Sequence, residues 1–175
     1  AGRFYSSNLP VAVSAPVEWN GRKVLNIAAG GFNSLALLDD GSVWAWGHGG
    51  SGELGNGQLV DSSVPVPVSV PAEWNGHRVL GVAAGSHHSL AGVDDGSVWA
   101  WGRGLFGSLG NGQIGASPLP VAVSTPPAWA GRRVVSVAAG DQHSLAVLDD
   151  GSTWAWGDGS SGQLGNGQTG ASSVP

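Results

Sequence analysis

The chain has no cysteine and no methionine in its 175 residues, and only 11% of them are charged. Without thiols it has neither a disulfide framework nor a thiolate metal site, and the zero is silent about redox compartment. A formal net charge of −5 disfavours a polyanion such as nucleic acid as partner. No apolar run approaches the roughly 18 residues that span a bilayer, so no membrane partner is expected. No signal peptide is visible, and the compartment stays open. Helical periodicity and helix caps are missing over any useful length. No Gly-x-Ser-x-Gly elbow stands out. The glycine-rich segments lack the Gly-Lys-Ser/Thr ending and the following helix that present amides to a phosphate. Because the sequence begins at Ala1 and holds no methionine, it reads as a processed product or a slice of a longer chain.

What is abundant is glycine, at 31 residues, and tryptophan, at nine, and both recur in register. Ala28-Ala29-Gly30 returns at Ala83 to Gly85 and at Ala138 to Gly140. Trp44-Ala45-Trp46-Gly47 returns at Trp99 to Gly102 and at Trp154 to Gly157, and Leu54-Gly55-Asn56-Gly57 at Leu109 to Gly112 and Leu164 to Gly167. The period is 55 residues without insertion. Such a period marks a unit that cannot bury its own apolar face and stacks on a copy of itself. The units read as Val11–Pro65, Val66–Pro120 and Val121–Pro175. Residues 1–10 read as a partial loop of a preceding repeat, with Ser6 to Pro10 matching Ala116 to Pro120.

Within the unit Val66–Pro120, Val66 to Val70 alternates and predicts a strand, placed at an edge by Pro67. Strands are also predicted over Val79 to Ala84, Ser89 to Val93 and Val98 to Trp101. Asp94-Asp95-Gly96-Ser97 is a hairpin turn, because Asp-Gly supplies the positive φ a tight turn needs. Four short strands repeated radially predict propeller blades. Trp99 and Trp101 face one side of their strand, and one of each such pair is expected to pack on the neighbouring blade. Trp19, Trp74 and Trp129 fall in loops, as anchors or as lids.

The motifs Val-Ala-Ala-Gly-x-x-His-Ser-Leu-Ala (Val82 to Ala91 and Val137 to Ala146), Asp-Gly-Ser-x-Trp-Ala-Trp-Gly and Gly-x-Leu-Gly-Asn-Gly resemble the RCC1-type repeat (regulator of chromosome condensation), in its bacterial form. The resemblance covers nearly the whole chain. It implies an all-β, RCC1-like β-propeller of three tandem repeats, each giving a four-stranded blade, in a family whose rings usually have seven. It also implies structural hydrogen bonds for His88 and His143, with a departure at Asn33, where the family usually has histidine. The family includes an exchange factor for a small GTPase, a tryptophan-based ultraviolet receptor and a β-lactamase inhibitor, so the fold alone transfers no single activity. Light-sensing relatives place tryptophan between the Ala-Gly and His-Ser motifs. Here that segment holds Gly31-Phe32, Ser86-His87 and Asp141-Gln142, which argues against that role.

Candidate chemistry is sparse. The pairs Asp39-Asp40, Asp94-Asp95 and Asp149-Asp150 precede Gly-Ser in turns and read as turn chemistry, not acid/base or calcium sites. The recurring basic pairs Arg22-Lys23, His77-Arg78 and Arg132-Arg133 read as solvated strand starts, with a weak anion or acidic-partner site as the alternative. No ligand or acid/base cluster is evident in the spacing, so no catalytic residue, metal or cofactor is assigned. His87, which stands where other copies have Phe32 and Gln142, is expected to be exposed. Recognition is sought where the copies disagree, because residues free of packing can carry it. Those windows supply Phe32, His48, His87, Arg103, Leu105, Phe106, Asp141, Gln142 and Asp158 as candidate binding residues. Leu105-Phe106 is apolar where the other copies have Gly50-Ser51 and Ser160-Ser161, and Arg103 beside it offers a charge-assisted contact.

The reading is a non-enzymatic protein-binding or scaffold module. Its alternative is a self-assembling repeat; an inhibitor or exchange-factor-like role on a protein partner is more remote. Three blades do not close a ring of usual geometry, so the expected repairs are a six-bladed homodimer, a longer repeat array or an open superhelix.

Overall fold

Short valine- and alanine-rich segments, each ended by glycine or an Asp-Gly turn, fold into antiparallel meanders in which neighbours in sequence are neighbours in space. The computed structural model describes residues 7–74 and 76–175. Most of the loop read as a partial preceding repeat, residues 1–6, lies outside the described residues. The first sheet is β1 (Val24–Ala29), β2 (Asn33–Leu38), β3 (Val43–Gly47) and β4 (Ser62–Pro67), in that order. The second is β5 (Val79–Ala84), β6 (His88–Val93), β7 (Val98–Gly102) and β8 (Ser117–Ala122). The third holds β9 (Val134–Ala139), β10 (His143–Leu148) and β11 (Thr153–Gly157). A single bridge between Gly157 and Ser172 occupies the place of the Gly47–Ser62 and Gly102–Ser117 pairs that start the fourth strand elsewhere. Among the described residues no helix is long and apolar enough to cross a membrane.

The second and third strands of each sheet join through the Asp-Gly turns. Gly41, Gly96 and Gly151 take φ of 86°, 92° and 84°, the left-handed region that a side chain resists. Asp40 Oδ1 accepts from the Ser42 amide (3.0 Å) and hydroxyl (2.7 Å), and Asp95 does the same with Ser97. The Ser42 hydroxyl, helped by the adjacent Arg22, holds the Asp40 carboxyl below its ordinary value although partial burial opposes this. The recurring basic residues pair with the same turns: Arg22 with Asp40 (3.4 Å), Arg132 with Asp150 (3.3 Å) and His77 with Asp94 (3.1 Å).

One sequence expectation shifts. The strand placed at Val66 to Val70 lies instead at Ser62–Pro67 and pairs with β3 of the preceding unit, Ala45 opposite Val66. The Val-x-Val alternation continues on both sides of Val66, so pattern alone leaves the strand ends undefined, and pairing with β3 fixes them. The strand is outermost, where Pro65 and Pro67 remove no needed ladder bond. Val68 then turns inward and is buried.

The apolar core lies between sheets. Leu35, Leu37 and Leu54 of the first unit pack with Val82, Ala91 and Trp101 of the second. Leu90 and Leu109 pack with Ala146, Leu148 and Trp156 of the third. The innermost strands run side by side across each junction, and the Gly31 amide donates to the Gly85 carbonyl (3.2 Å). A Cβ on Gly85 would meet the His88 ring and sit 2.5 Å from the Gly140 carbonyl, so only glycine lets these strands approach. Trp19, Trp74 and Trp129 are buried lids, their rings 6.0, 6.0 and 5.9 Å from Trp44, Trp99 and Trp154.

Candidate functional site

The antiparallel order brings both variable windows of each unit to one end of its sheet. The turn after the first strand and the loop after the third emerge together, because Asn33 pairs with Gly47, His88 with Gly102 and His143 with Gly157. One backbone bond ties the windows in every unit: His48 N–H to Phe32 C=O (2.8 Å), Arg103 to His87 (2.8 Å), Asp158 to Gln142 (2.9 Å). All nine candidate residues therefore lie at this end, and the ion-paired Asp-Gly turns lie at the other.

Their surroundings differ. Phe32 is 67% exposed and Phe106 45%. Leu105 is half-buried and Arg103 exposed. Leu105–Gly107 forms a short 3-10 turn in which Phe106 takes φ 56°, ψ 14°, a conformation costly for a bulky side chain. This turn leans on the next unit, since a Cβ on Gly107 would run into Ser173. Asp141 is held below its ordinary pKa, first by the Ser86 hydroxyl and then by the Gln142 amide. Asp158 is lowered by the amide and hydroxyl of Ser160 and by Gln163. Leu105 and Phe106 stand in the unit after Phe32 and His48, and Asp141, Gln142 and Asp158 belong to the third.

Phe32, His48 and His87 come together across the first junction. The Phe32 ring lies 5.7 Å from His87 and 6.5 Å from His48, and the two imidazoles are 6.5 Å apart. His87, expected to be exposed, is half-buried. Beside it lies a residue that sequence reasoning missed: Glu53, 1% exposed, whose Oε1 lies 3.2 Å from His48 Nδ1 and 3.8 Å from His87 Nδ1. Oε2 accepts from the Ser51 amide (2.8 Å). The signal available was its place in Gly-x-Leu-Gly, where the other copies carry Ser108 and Gln163.

Beneath the loops runs a repeated polar relay. Trp101 Nε1–H and the Ser89 hydroxyl both donate to the Glu53 carbonyl (2.9 and 3.1 Å). Trp156 and Ser144 do the same for the Ser108 carbonyl (3.0 and 2.9 Å). Asn33 Nδ2 donates to Ser89 (3.0 Å), and His88 Nε2 pairs with Ser144 (2.9 Å). Asn33 thus fills the histidine position with the same bond, and His88 is structural as expected. Burial pushes the His88 imidazole down to about 4, and neighbouring His143 adds to the effect.

Stacked meanders sharing a core between sheets define a propeller-type repeat protein, with its sequence variation gathered on one loop face. The chain matches the regulator of chromosome condensation (RCC1) repeat over residues 40–91 and 95–147, and a second form of that repeat over 24–53, 79–108 and 134–163. It belongs to the RCC1 repeat family. It is 40% identical over 157 residues to the ultraviolet-B receptor UVR8 of Arabidopsis thaliana, covering 88% of this chain and 34% of that protein. The chain thus spans about a third of that relative. Among solved structures, human WBSCR16 superposes with a TM-score of 0.77 at 29% identity, covering 89% of this chain and 40% of its own. Prp20p of Saccharomyces cerevisiae, characterised for its binding to Gsp1p and histones, gives 0.71 at 29% identity, with 87% and 36% covered.

Proposed function

We propose that this chain is a non-enzymatic binding module that recognises a protein through the loop face carrying Phe32, Arg103, Leu105 and Phe106. One observation carries the reading. Phe106 is a solvent-exposed phenylalanine held in the left-handed region, in a loop where the other copies place serine. Such a residue costs stability and adds no core, which fits a contact made with something else. Arg103 and the carboxylates Asp141 and Asp158 on the same face supply charge for orientation. Prp20p, a relative with protein partners, supports the class of role. The test compares quantitative affinity capture by the wild-type chain with capture by a Phe32→Ala, Leu105→Ser, Phe106→Ser variant whose thermal midpoint is unchanged. A partner retained by the first and lost by the second is expected; equal retention by both would move the site elsewhere.

A second reading, self-association, has its own observation. Val24 and Ile27 on β1 are 43% and 72% exposed, whereas the equivalent Val79 and Val82 on β5 are buried against the preceding sheet. This face of the first sheet carries the side chains that join one sheet to the next elsewhere in the chain, and a second copy is one cover that fits it. Light scattering tests this: a dimer or larger species supports it, and a monomer at high concentration removes it.

A further inference from the structure

We infer that His48, Glu53 and His87 form a binding site for a divalent first-row transition ion, zinc being the reference case, that ties the first sheet to the second. His48 and Glu53 come from the loop after β3, and His87 comes from the turn between β5 and β6. One ligand atom from each of the three residues lies within 4.8 Å of the others. Neighbouring donors on a tetrahedral zinc at about 2.0–2.1 Å are separated by roughly 3.3 Å. The His48–Glu53 distance of 3.2 Å already has that value, and the His87–Glu53 distance of 3.8 Å needs a small closure of half-exposed side chains. Two imidazoles and a carboxylate are the donor set of three-ligand zinc sites, with the fourth position left to water. Both histidines are half-exposed, so water has access to the cluster. Copper(II), favoured for nitrogen and oxygen donors, fits the same set.

Comparison among the copies separates a site from a structural necessity. In the third unit Gln163 occupies the Glu53 position, accepts from the Ser161 amide (2.8 Å) and donates to Asp158 (3.0 Å). In the second unit Ser108 closes the same loop on the Arg103 carbonyl (3.0 Å). Neither copy has an acid at the Glu53 position or an imidazole at the His48 position: the second has Ser108 and Arg103, and the third has Gln163 and the carboxylate of Asp158. A buried carboxylate appears only where two imidazoles stand beside it, and a buried charge calls for a cation. The surroundings hold the ligand in place: the Ser51 amide holds Oε2, and Trp101 and Ser89 fix the Glu53 backbone.

The test uses the full, tag-free chain stripped of metal, titrated with zinc chloride by calorimetry and with copper(II) by electron paramagnetic resonance. One ion per chain is expected, with a thermal midpoint that rises with zinc and a copper spectrum showing two coupled nitrogens. Glu53→Gln and His87→Gln, which install residues the third unit already uses at those positions, each weaken binding by at least about tenfold. His77→Gln, on an exposed histidine at the opposite end, leaves it unchanged. His87→Gln alters a half-exposed side chain and keeps the test valid should Glu53→Gln fail to fold. Absence of binding at one equivalent, wild-type affinity in His87→Gln, or a single coupled nitrogen would each overturn the site.

Discussion

The junction between the first and second sheets and the junction between the second and third share one frame and fill it with different polar groups. In both, a tryptophan of the later sheet donates to a loop carbonyl of the earlier one, and a serine supports the same carbonyl. Above that frame the first junction holds His48, Glu53 and His87. The second holds Arg103, Ser108 and Gln142, with the Gln142 Oε1 buried and unpaired among the described residues. Below it, the first uses Asn33 where the second uses His88. The frame is a matter of stability, and the filling is where one junction acquires chemistry that its neighbour lacks.

The largest effect expected tests whether the frame is shared. Trp101 and Trp156 are both fully buried. Trp101→Ala and Trp156→Ala should each cost about 3–5 kcal/mol in denaturant unfolding, chiefly from lost volume, with the loss of one of the two hydrogen bonds to the loop carbonyl added. Clearly unequal losses would mean that the two junctions are not equivalent. Next comes acid. His88 titrates near 4 in the folded chain against 6.5 unfolded. Between those values the unfolded chain binds a proton and the native one does not. Its contribution, about 3 kcal/mol, is therefore full above pH 6.5 and lost as pH falls towards 4. Unfolding in urea at pH 7, 5.5 and 4.5, in the presence of chelator, should show this slope reduced in His88→Asn, which copies the first junction. An unreduced slope would assign the acid lability to other groups.

Gly85→Ala drives a methyl into the His88 ring and the Gly140 carbonyl and should lower stability by about 1–3 kcal/mol. A neutral result in thermal melting would show that the inner strands have room to part. The smallest effect is of opposite sign. Phe106→Gly relieves the left-handed residue and should stabilise by up to about 1 kcal/mol while removing the aromatic contact. A loss of stability instead would make Phe106 a packing residue and weaken the binding reading.

Much of the frame was legible in the sequence. Val79–Ala84, the Asp-Gly turns and the tryptophan reaching the neighbouring sheet follow from local patterns, because each copy repeats the same local solution, and the structural histidine follows from the family resemblance. The outer strand was displaced because the Val-x-Val alternation runs from Val64 to Val70, starting inside the strand and continuing past its C-terminal end. Glu53 stayed invisible for a different reason. Its partners are one histidine in its own loop and another in the next unit, and only the stacking of two sheets makes them neighbours. A search of the sequence for ligand spacing within one loop cannot see a set assembled across a junction.

The polar ties that the two junctions share keep a constant offset along the chain: 56 residues from Asn33 to Ser89 and from His88 to Ser144, 48 from Glu53 to Trp101 and from Ser108 to Trp156. Excising any window of one period from within the array therefore rejoins the chain at equivalent positions and restores the same ties, wherever the cut falls. Gene slippage can lengthen or shorten such a protein by whole blades without a compensating mutation. The cluster at the first junction behaves otherwise: it survives or vanishes with the one pair of units that carries it.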